Sequence, residues 1–273
     1  EHDDVVASLR NYDNPWKVPR SQRAKWSEGL GLRPKGDVLY FAGCSTSLLF
    51  RETGVKMVGV LRAAGVEPAY LGKAERCCGS VARKIGEEKL AREKAEACFS
   101  DFAEAGAKTV VTSCPGCASA LNHFEDLPEK HGIEVLHISQ YLDGRLEDLG
   151  LRPARASGKM TYHDPCDLGR ELGEYDAPRR VLAAATRSRV VEMERSRERS
   201  ACCGSGAGVR SAFPELADAV SRARVAMAEA AGADTIGSSC PWCVQSLTQC
   251  QGQDPRVKVV DLVDVVHDAL GKK

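Results

Sequence analysis

Ten cysteines in this chain fall into two sets of five with nearly the same spacing. In each set, a single cysteine precedes a Cys-Cys-Gly doublet, and a Cys-x-x-Cys pair follows it. The intervals are 32 and 35 residues in the first set and 35 and 36 residues in the second. The first quintet is Cys44, Cys77, Cys78, Cys114 and Cys117, and the second quintet is Cys166, Cys202, Cys203, Cys240 and Cys243.

Adjacent cysteines indicate metal binding rather than a disulfide, because a short peptide link strains a bridge between neighbours. A structural zinc ion takes four protein ligands, and so does a conventional [4Fe–4S] cubane. A set of five cysteines therefore has one thiolate more than either centre uses. A centre with more than four protein ligands would use all five. The doublet therefore favours a non-cubane iron–sulfur cluster.

The composition of the chain is compatible with such metal centres. Its 273 residues include 12 cysteines, 38 basic and 38 acidic residues, and a zero net charge gives no support for nucleic acid as a partner. No apolar run approaches the length of a membrane span, and the N-terminus has no signal-peptide pattern. We expect a soluble, cytoplasmic chain that is not itself transmembrane, in which thiols stay reduced and serve metal or redox work.

The quintets lie at corresponding places in an internal duplication. The segment 37–44 resembles 159–166, and 105–117 resembles 231–243, each with a short β-prone run before a cysteine. The segments 133–142 and 257–266 also match as strands. Helical patterns over 84–106 and 212–232 end in glycine, as helix C-termini often do.

Alternation of strands and helices predicts an α/β fold with two pseudo-symmetric units, each a small, mostly parallel sheet with flanking helices. The first cysteine and the Cys-x-x-Cys pair of each quintet then lie at the carboxyl ends of strands, where such sheets bind ligands, and the doublet lies in a loop. We expect an N-terminal arm over 1–35, a first domain over 36–150 and a second over 151–273, with a linker at 144–158.

The doubled pattern resembles the cysteine-rich CCG domain of heterodisulfide reductase, as found in its B-type and related D-type chains. The resemblance covers about residues 36–270, and the segment NYDNPW at 11–16 resembles the connector after the ferredoxin-type domain of the D-type chains. That ferredoxin domain has no counterpart in the sequence. Asp167 stands where relatives often have histidine, so a proton-donor role is not expected at that position.

The resemblance implies a cofactor and an activity. Each quintet would hold one non-cubane [4Fe–4S] cluster, and a disulfide, such as that of coenzymes M and B, would be reduced between the two clusters in one-electron steps. The electrons would come from a ferredoxin-type cubane iron–sulfur subunit. A flavin or haem subunit would in turn donate electrons to that subunit. The chain would then be associated with a membrane-bound complex.

Three further residues are candidate catalytic groups. His163 lies three residues before Cys166 and could supply a proton to a leaving thiolate. Arg51 and Arg170 follow the first cysteines of the two quintets and could bind an anionic substrate group. Cys98 and Cys250 stand outside both quintets and are expected to be inert buried thiols.

Two other functions remain open at this stage. The chain could relay electrons to a quinone, a flavoprotein or an acyl-CoA enzyme without binding a disulfide. It could also be a zinc-binding assembly module, although a zinc site could lose a cysteine and both quintets are complete.

Overall fold

The computed structural model describes residues 2–153, 158–188, 190–206 and 208–271. The chain divides into two compact units, Glu1–Ile138 and Ser139–Lys273. This division falls earlier than the predicted domain boundary at residue 150, which stays a prediction. The predicted linker at 144–158 includes residues 154–157, which lie outside the described residues.

The first unit contains a parallel sheet of three strands in the order β1-β2-β3. Leu39 pairs with Val110, and Val110 pairs with Val135. The strands and helices are α1 (Asp3–Tyr12), β1 (Val38–Tyr40), α2 (Gly43–Leu48), α3 (Arg51–Ala63), α4 (Ser80–Lys84), α5 (Glu88–Glu104), β2 (Thr109–Thr112), α6 (Pro115–Asn122), α7 (Asp126–His131) and β3 (Glu134–His137).

The second unit repeats this arrangement with a parallel sheet in the order β4-β5-β6. Thr161 pairs with Ile236, and Ile236 pairs with Val259. The elements, starting with a helix at the division, are α8 (Ile138–Asp143), β4 (Met160–His163), a π-helical turn (Asp167–Glu171), α9 (Ala177–Thr186), α10 (Val209–Ala212), α11 (Pro214–Ala230), β5 (Thr235–Ser238), α12 (Pro241–Gln249), β6 (Lys258–Asp261) and α13 (Leu262–Ala269). Two α/β units with small parallel sheets confirm the predicted fold class.

Each unit buries its sheet beneath helices whose apolar residues recur at three and four positions. In the first unit, Phe41 and Phe102 meet edge to face with ring centroids 5.5 Å apart, and Leu39 and Val110 belong to the same core. The sequence patterns at 84–106 and 212–232 correspond to α5 and α11. Both helices have 17 residues.

Both long helices end as predicted at a glycine with left-handed backbone. Gly106 has φ 74° and Gly232 has φ 70°, a conformation that costs other residues energy because of their Cβ atom.

The prediction of strands over the whole of 133–142 and 257–266 is wrong in their second halves. β3 ends at His137 and α8 begins at Ile138, while β6 ends at Asp261 and α13 begins at Leu262. The Asp261 carboxylate accepts a hydrogen bond from the Val263 amide at 2.8 Å, which caps the helix and ends the strand. The apolar residues that follow pack from a helical face.

The predicted N-terminal arm packs on the first unit. Leu9 and Trp26 are buried, and the Trp26 indole donates a hydrogen bond to the Tyr70 hydroxyl at 2.9 Å. The Ser8 hydroxyl donates to the Asn14 carbonyl at 2.7 Å. The arm is therefore part of the core of this unit. None of the helices within the described ranges is long and apolar enough to span a membrane.

Candidate metal centres

The strand ends bring the first quintet together. β1 ends at Tyr40, just before Cys44 in α2, and β2 ends at Thr112, just before Cys114. Cys114 is the N-cap of α6, whose first residue is Pro115, so Cys117 lies in the first turn. Proline is favoured at that position because its missing N–H would have no helical partner.

The five thiols of the first quintet are buried and in mutual contact. The Sγ atoms of Cys78 and Cys117 lie 3.3 Å apart and share a hydrogen bond. Hydrogen bonds from Cys44 and Cys78 hold the pKa of Cys77 well below that of an ordinary thiol, while the bond to Cys77 and burial raise the pKa of Cys44. Cys114 is hydrogen-bonded to Cys117. All five are free thiols.

The second quintet is more open, and its thiols contact one another in a different pattern. The Cys243 Sγ donates to the Cys203 Sγ at 3.3 Å, and hydrogen bonds from Cys202 and Cys243 hold the pKa of Cys203 well below its ordinary value. Cys240 is hydrogen-bonded to Cys243. Cys166 is half-buried and Cys202 is exposed. Nine of the ten predicted ligands are thus joined by hydrogen bonds between thiols within their own unit, and Cys166 interacts electrostatically with Cys202.

The glycine after each doublet is required by the close approach of a helix. Gly79 has φ 84°, and a Cβ built on it would lie 2.7 Å from the Ala91 carbonyl oxygen of α5. Gly204 also has φ 84°, and its Cβ would lie 2.5 Å from the Ala217 carbonyl oxygen of α11. Both distances are shorter than a van der Waals contact, so only glycine lets the doublet lie against the helix.

A buried arginine of the N-terminal arm lies beside the first quintet. Arg23 is 1% exposed, and its Nη1 lies 3.3 Å from the carboxylate of the fully buried Glu75. The same guanidinium donates to the carbonyls of Asp13 and Arg76 at 2.6 and 2.7 Å. Glu75 also accepts from the Ala42 amide at 2.9 Å. The arm therefore supplies the first centre with a positive charge that has a carboxylate partner.

In the second unit, a buried arginine contacts the predicted histidine. Arg224 is 0% exposed, and its Nε donates to His163 Nδ1 at 3.1 Å. His163 is buried, is hydrogen-bonded to Cys203, and has a ring nitrogen within 4.8 Å of the thiol sulfurs of Cys203 and Cys243. Since Arg224 only donates, the proton of the neutral ring resides on Nε2.

The two units differ at three equivalent positions around these charges. Cys98 and Arg224 are the eleventh residues of the equal helices α5 and α11. Glu75 and Ser200 each stand two residues before a doublet, and Phe41 and His163 each stand three residues before the first cysteine. The first site has a thiol, a carboxylate and a phenyl ring where the second has a guanidinium, a hydroxyl and an imidazole.

The two predicted anion-binding arginines have different surroundings. Arg170 is exposed, donates to the Ser200 carbonyl at 3.0 Å, and lines a cavity together with Cys202. Arg51 is the exposed first residue of α3 and, in the described part of the chain, makes no hydrogen bond or ion pair with the first quintet.

The cysteines outside the quintets lie in helices. Cys98 is buried in α5 and its Sγ donates to the Cys77 carbonyl at 3.5 Å. Cys250 ends α12 and donates to the Leu247 carbonyl at 3.4 Å. Neither contact involves a quintet thiol.

The donor set of each site fits an iron–sulfur centre. Thiolates are soft ligands that select zinc, copper(I) and iron–sulfur clusters, and each unit holds five of them with no disulfide between them. In each unit one thiol receives hydrogen bonds from two others, which lower its pKa well below that of an ordinary thiol. A four-coordinate zinc ion would use only four of the five.

Sequence reasoning missed Arg23, Glu75 and Arg224 as parts of these sites. Arg224 had a signal, because it occupies a buried face of α11 with Ala217, Ser221 and Ala228 at helical spacing. No sequence signal indicated Arg23, because residues 1–35 have no matching segment in the second half of the chain.

Comparison with family models matches the cysteine-rich CCG domain twice, at residues 38–122 and 160–248. The two matches contain both quintets.

Three curated proteins illustrate the similarity of the whole chain. The chain is 34% identical over 270 residues to the D-type chain of the dihydromethanophenazine:CoB–CoM heterodisulfide reductase of Methanosarcina barkeri, covering 95% of this chain and 66% of that protein. It is 32% identical to the EtfAB:quinone oxidoreductase of Syntrophomonas wolfei, covering 96% and 39%. It is 31% identical to the "Probable iron-sulfur-binding oxidoreductase FadF" of Bacillus subtilis, covering 97% and 40%. The chain thus spans less than two thirds of the length of these relatives.

Proposed function

The chain belongs to the cysteine-rich CCG domain family, and on that premise we propose that it is an iron–sulfur oxidoreductase chain of the heterodisulfide reductase type. Its reaction would be the reduction of a disulfide with electrons from a partner protein. The observation that carries the proposal is the convergence of five free thiols in each of two units, where hydrogen bonds from two neighbouring thiols lower the pKa of one cysteine.

Two non-cubane [4Fe–4S] clusters are the cofactors of this proposal. Such clusters, when bound, supply single electrons to a sulfur–sulfur bond. One would be held by Cys44, Cys77, Cys78, Cys114 and Cys117, and the other by Cys166, Cys202, Cys203, Cys240 and Cys243. The family membership and the printed name of the Bacillus relative support iron and sulfide as the bound elements.

The side chains around the second quintet would have roles in thiolate stabilisation and substrate binding. His163 holds a proton on Nε2 beside the thiols of Cys203 and Cys243, because Arg224 occupies Nδ1. That N–H would donate a hydrogen bond to a thiolate released from a reduced disulfide and stabilise its negative charge. Arg170, beside the exposed Cys202, would bind an anionic group of the substrate, and Arg51 has the corresponding role in the first unit.

The printed name of the Methanosarcina relative supports a proposal for the substrate. Its printed name specifies a CoB–CoM heterodisulfide and a chain that is one of several in its enzyme, so we propose a disulfide of this kind as the substrate. The electron donor would be a ferredoxin-type cubane iron–sulfur protein. A flavin or haem subunit would in turn donate electrons to that protein. We place the chain in the cytoplasm, against a membrane-bound complex.

Electron relay is the second candidate function. A relative of nearly the same identity is an EtfAB:quinone oxidoreductase, whose name includes no disulfide. In that role, the two centres would pass electrons onward, and the cavity beside Cys202 would have no thiol substrate.

Metal analysis followed by electron paramagnetic resonance (EPR) tests the proposal. Protein purified without exposure to air is analysed for iron, sulfide and zinc, and the oxidised form is then studied with and without an added thiol. We expect about eight irons per chain, from two four-iron centres, and a new paramagnetic signal with the thiol. The same iron content with an EPR signal that does not change when thiol is added would favour electron relay. Stoichiometric zinc would exclude the redox function.

A further inference from the structure

One arginine of the N-terminal arm lies beside the thiols of the first quintet. The Arg23 side chain is 1% exposed. Its Nη1 contacts the Glu75 carboxylate at 3.3 Å and donates to the Arg76 carbonyl at 2.7 Å, and its Nη2 donates to the Asp13 carbonyl at 2.6 Å. The third nitrogen, Nε, is also buried, and its hydrogen has no hydrogen-bond partner among the described residues. The arm thus brings one unsatisfied donor to the first site.

The unsatisfied Nε–H belongs to a cation whose charge acts on two predicted ligands. Hydrogen bonds from two neighbouring thiols are the main cause of the low pKa of Cys77, and the charge of Arg23 adds to them. At Cys44, the hydrogen bond with Cys77 and burial raise the pKa, and Arg23 acts in the opposite direction. A buried donor without an acceptor costs free energy and is rare in folded proteins. An acceptor that is bound with the metal centre, such as a sulfide, would remove that cost.

The pair of Arg23 and Glu75 also connects two segments that carry predicted ligands. Glu75 lies two residues before the doublet. Its carboxylate accepts hydrogen bonds from the amide of Ala42, at 2.9 Å, and from the amide of Gly43. These two residues directly precede Cys44. Arg23 therefore holds the carboxylate that fixes the first cysteine of the quintet relative to the doublet.

The second unit makes the equivalent connection with residues of its own. Asp164 corresponds to Ala42, since each stands two residues before the first cysteine of its quintet. The Asp164 carboxylate accepts from the Arg197 amide at 2.9 Å, and its carbonyl accepts from the Ser200 hydroxyl at 3.4 Å. Arg179 donates to the same carboxylate at 2.6 and 3.0 Å. These four residues belong to the second unit, so the contacts that hold its doublet loop do not involve the arm.

From these contacts we propose that Arg23 is a positioning residue for the first metal centre. Its Nη atoms hold the doublet loop through Glu75 and the Arg76 carbonyl, and its Nε–H donates a hydrogen bond to a sulfur atom of the bound centre. A donor and a positive charge next to an iron–sulfur centre stabilise its reduced form, which is more negative. This redox effect rests on the proposed function, whereas the hydrogen bond requires only a metal-bound sulfur. The first centre, but not the second, then depends on the arm.

Metal release to EDTA and an EPR-monitored redox titration, both without air, test this role. The measurements use the Cys240→Ser protein, in which only the first centre has all its ligands. The test variant adds Arg23→Gln together with Glu75→Gln, because loss of the arginine alone would leave a buried carboxylate without its ion pair. Lys94→Gln is the matched control. The Lys94 Nζ also binds the arm, 2.7 Å from the Asp13 carboxylate, and within the described residues it forms no hydrogen bond or ion pair with the doublet loop.

We expect the paired Arg23→Gln and Glu75→Gln variant to release iron about ten-fold faster than its parent, since a hydrogen bond to a charged group is of that size. The midpoint potential of the first centre should fall by about 59 mV, which is ten-fold in a one-electron equilibrium. Arg23→Lys keeps the cation but lacks the Nε–H, so its potential should fall by less. Lys94→Gln should change neither value. An unchanged potential in the paired variant, or an equal fall in Lys94→Gln, would overturn the inference.

Tryptophan fluorescence shows whether the arm stays docked in each variant. The Trp26 ring is buried and lies against Tyr70, with ring centroids 4.9 Å apart, so detachment of the arm should shift its emission to longer wavelength. If the paired variant detaches the arm or binds no metal, Arg23→Lys decides, because its ammonium group can still pair with Glu75. A lowered potential in a docked Arg23→Lys protein then supports the inference, and an unchanged potential overturns it.

The same variants separate this role of Arg23 from the proposed function. In the Cys114→Ser protein, which keeps all ligands of the second centre, the paired substitution should change neither the metal release nor the potential. If metal analysis gives zinc but the paired variant still releases it faster from the first site, the role of Arg23 stands and the redox function fails. If iron and the thiol-dependent signal are found and the paired variant behaves as its parent does, the redox function stands and this inference fails.

Discussion

At the scale of single residues, His163 is the clearest difference between the two centres. Its Nδ1 accepts from Arg224 Nε at 3.1 Å, and its ring lies beside Cys203 and Cys243. The equivalent residue of the first unit is Phe41, which packs against Phe102 and cannot exchange a proton. Of the two centres, the second therefore has a ring N–H group next to its thiols.

Substitution of His163 should separate its two contacts. In His163→Phe, the Arg224 Nε loses its acceptor inside the protein, which costs about 1–3 kcal/mol of unfolding free energy. In His163→Gln, the amide oxygen can accept from Arg224 while its NH2 group donates to Cys203, so the loss should be below about 1 kcal/mol. Urea denaturation without air measures both values.

A second measurement tests whether His163 acts on the thiols. We expect the EPR signal of the second centre to change in His163→Phe and to be largely preserved in His163→Gln. Equal stability and equal spectra for the two variants would contradict a role for these hydrogen bonds.

At the scale of elements, the contact between each doublet loop and its long helix sets the position of the thiols. Gly79 lies against the Ala91 carbonyl of α5, and Gly204 lies against the Ala217 carbonyl of α11. The obstacle is helix backbone in both cases, which cannot move aside as a flexible side chain does. The glycine of the motif therefore determines how closely the cysteines approach the helix.

Alanine substitution should distinguish this contact from backbone strain. Gly86 has φ 88° with nothing within 4 Å of a built Cβ, so Gly86→Ala measures the cost of the left-handed conformation alone, about 1–2 kcal/mol. Gly79→Ala adds a clash at 2.7 Å, so it should cost at least about 1 kcal/mol more. Urea denaturation compares the two variants. Similar losses for both would mean that α5 yields to the new methyl group.

The sequence predicted those features of the fold that depend on neighbouring residues alone. The repeat, the strands before Cys44 and Cys114, and the glycines after α5 and α11 follow from spacing and backbone preference. The switch from strand to helix at Ile138 and Leu262 was missed, because a short run of apolar residues fits either structure until its cap is recognised. Asp261 was the available signal.

The charges around the quintets could not be predicted because their contacts are distant in sequence. Arg23 reaches Glu75 across 52 positions, and Arg224 reaches His163 across 61. Arginines in such segments are more often exposed, so composition favoured a surface role. The ten cysteines were predictable because their chemistry is recognisable from type and spacing alone.

At the scale of the whole molecule, each quintet belongs to one unit. The first lies within Glu1–Ile138 and the second within Ser139–Lys273. No ligand of one proposed centre is borrowed from the other unit. Each centre should therefore assemble, and be lost, independently.

Serine substitution at the Cys-x-x-Cys pairs tests this independence with little damage to the fold. Cys114 and Cys240 are the N-caps of α6 and α12, and serine is among the best residues at that position. Cys114→Ser and Cys240→Ser should each retain about half of the wild-type iron, since each removes a ligand from one of two four-iron centres. The double variant should retain almost none.

Cys250→Ser is the control for this measurement. Cys250 ends α12, and its sulfur contacts only the Leu247 carbonyl among the hydrogen bonds of the described residues. The Cys250→Ser variant should keep the full iron content, as measured by anaerobic iron and sulfide analysis. Loss of all iron in either single variant would mean that the two centres assemble together, because a ligand of one unit would then govern both. Full iron in Cys114→Ser would instead remove Cys114 from the ligand set and leave four thiolates in the first unit, the number that a conventional cubane or a zinc ion needs.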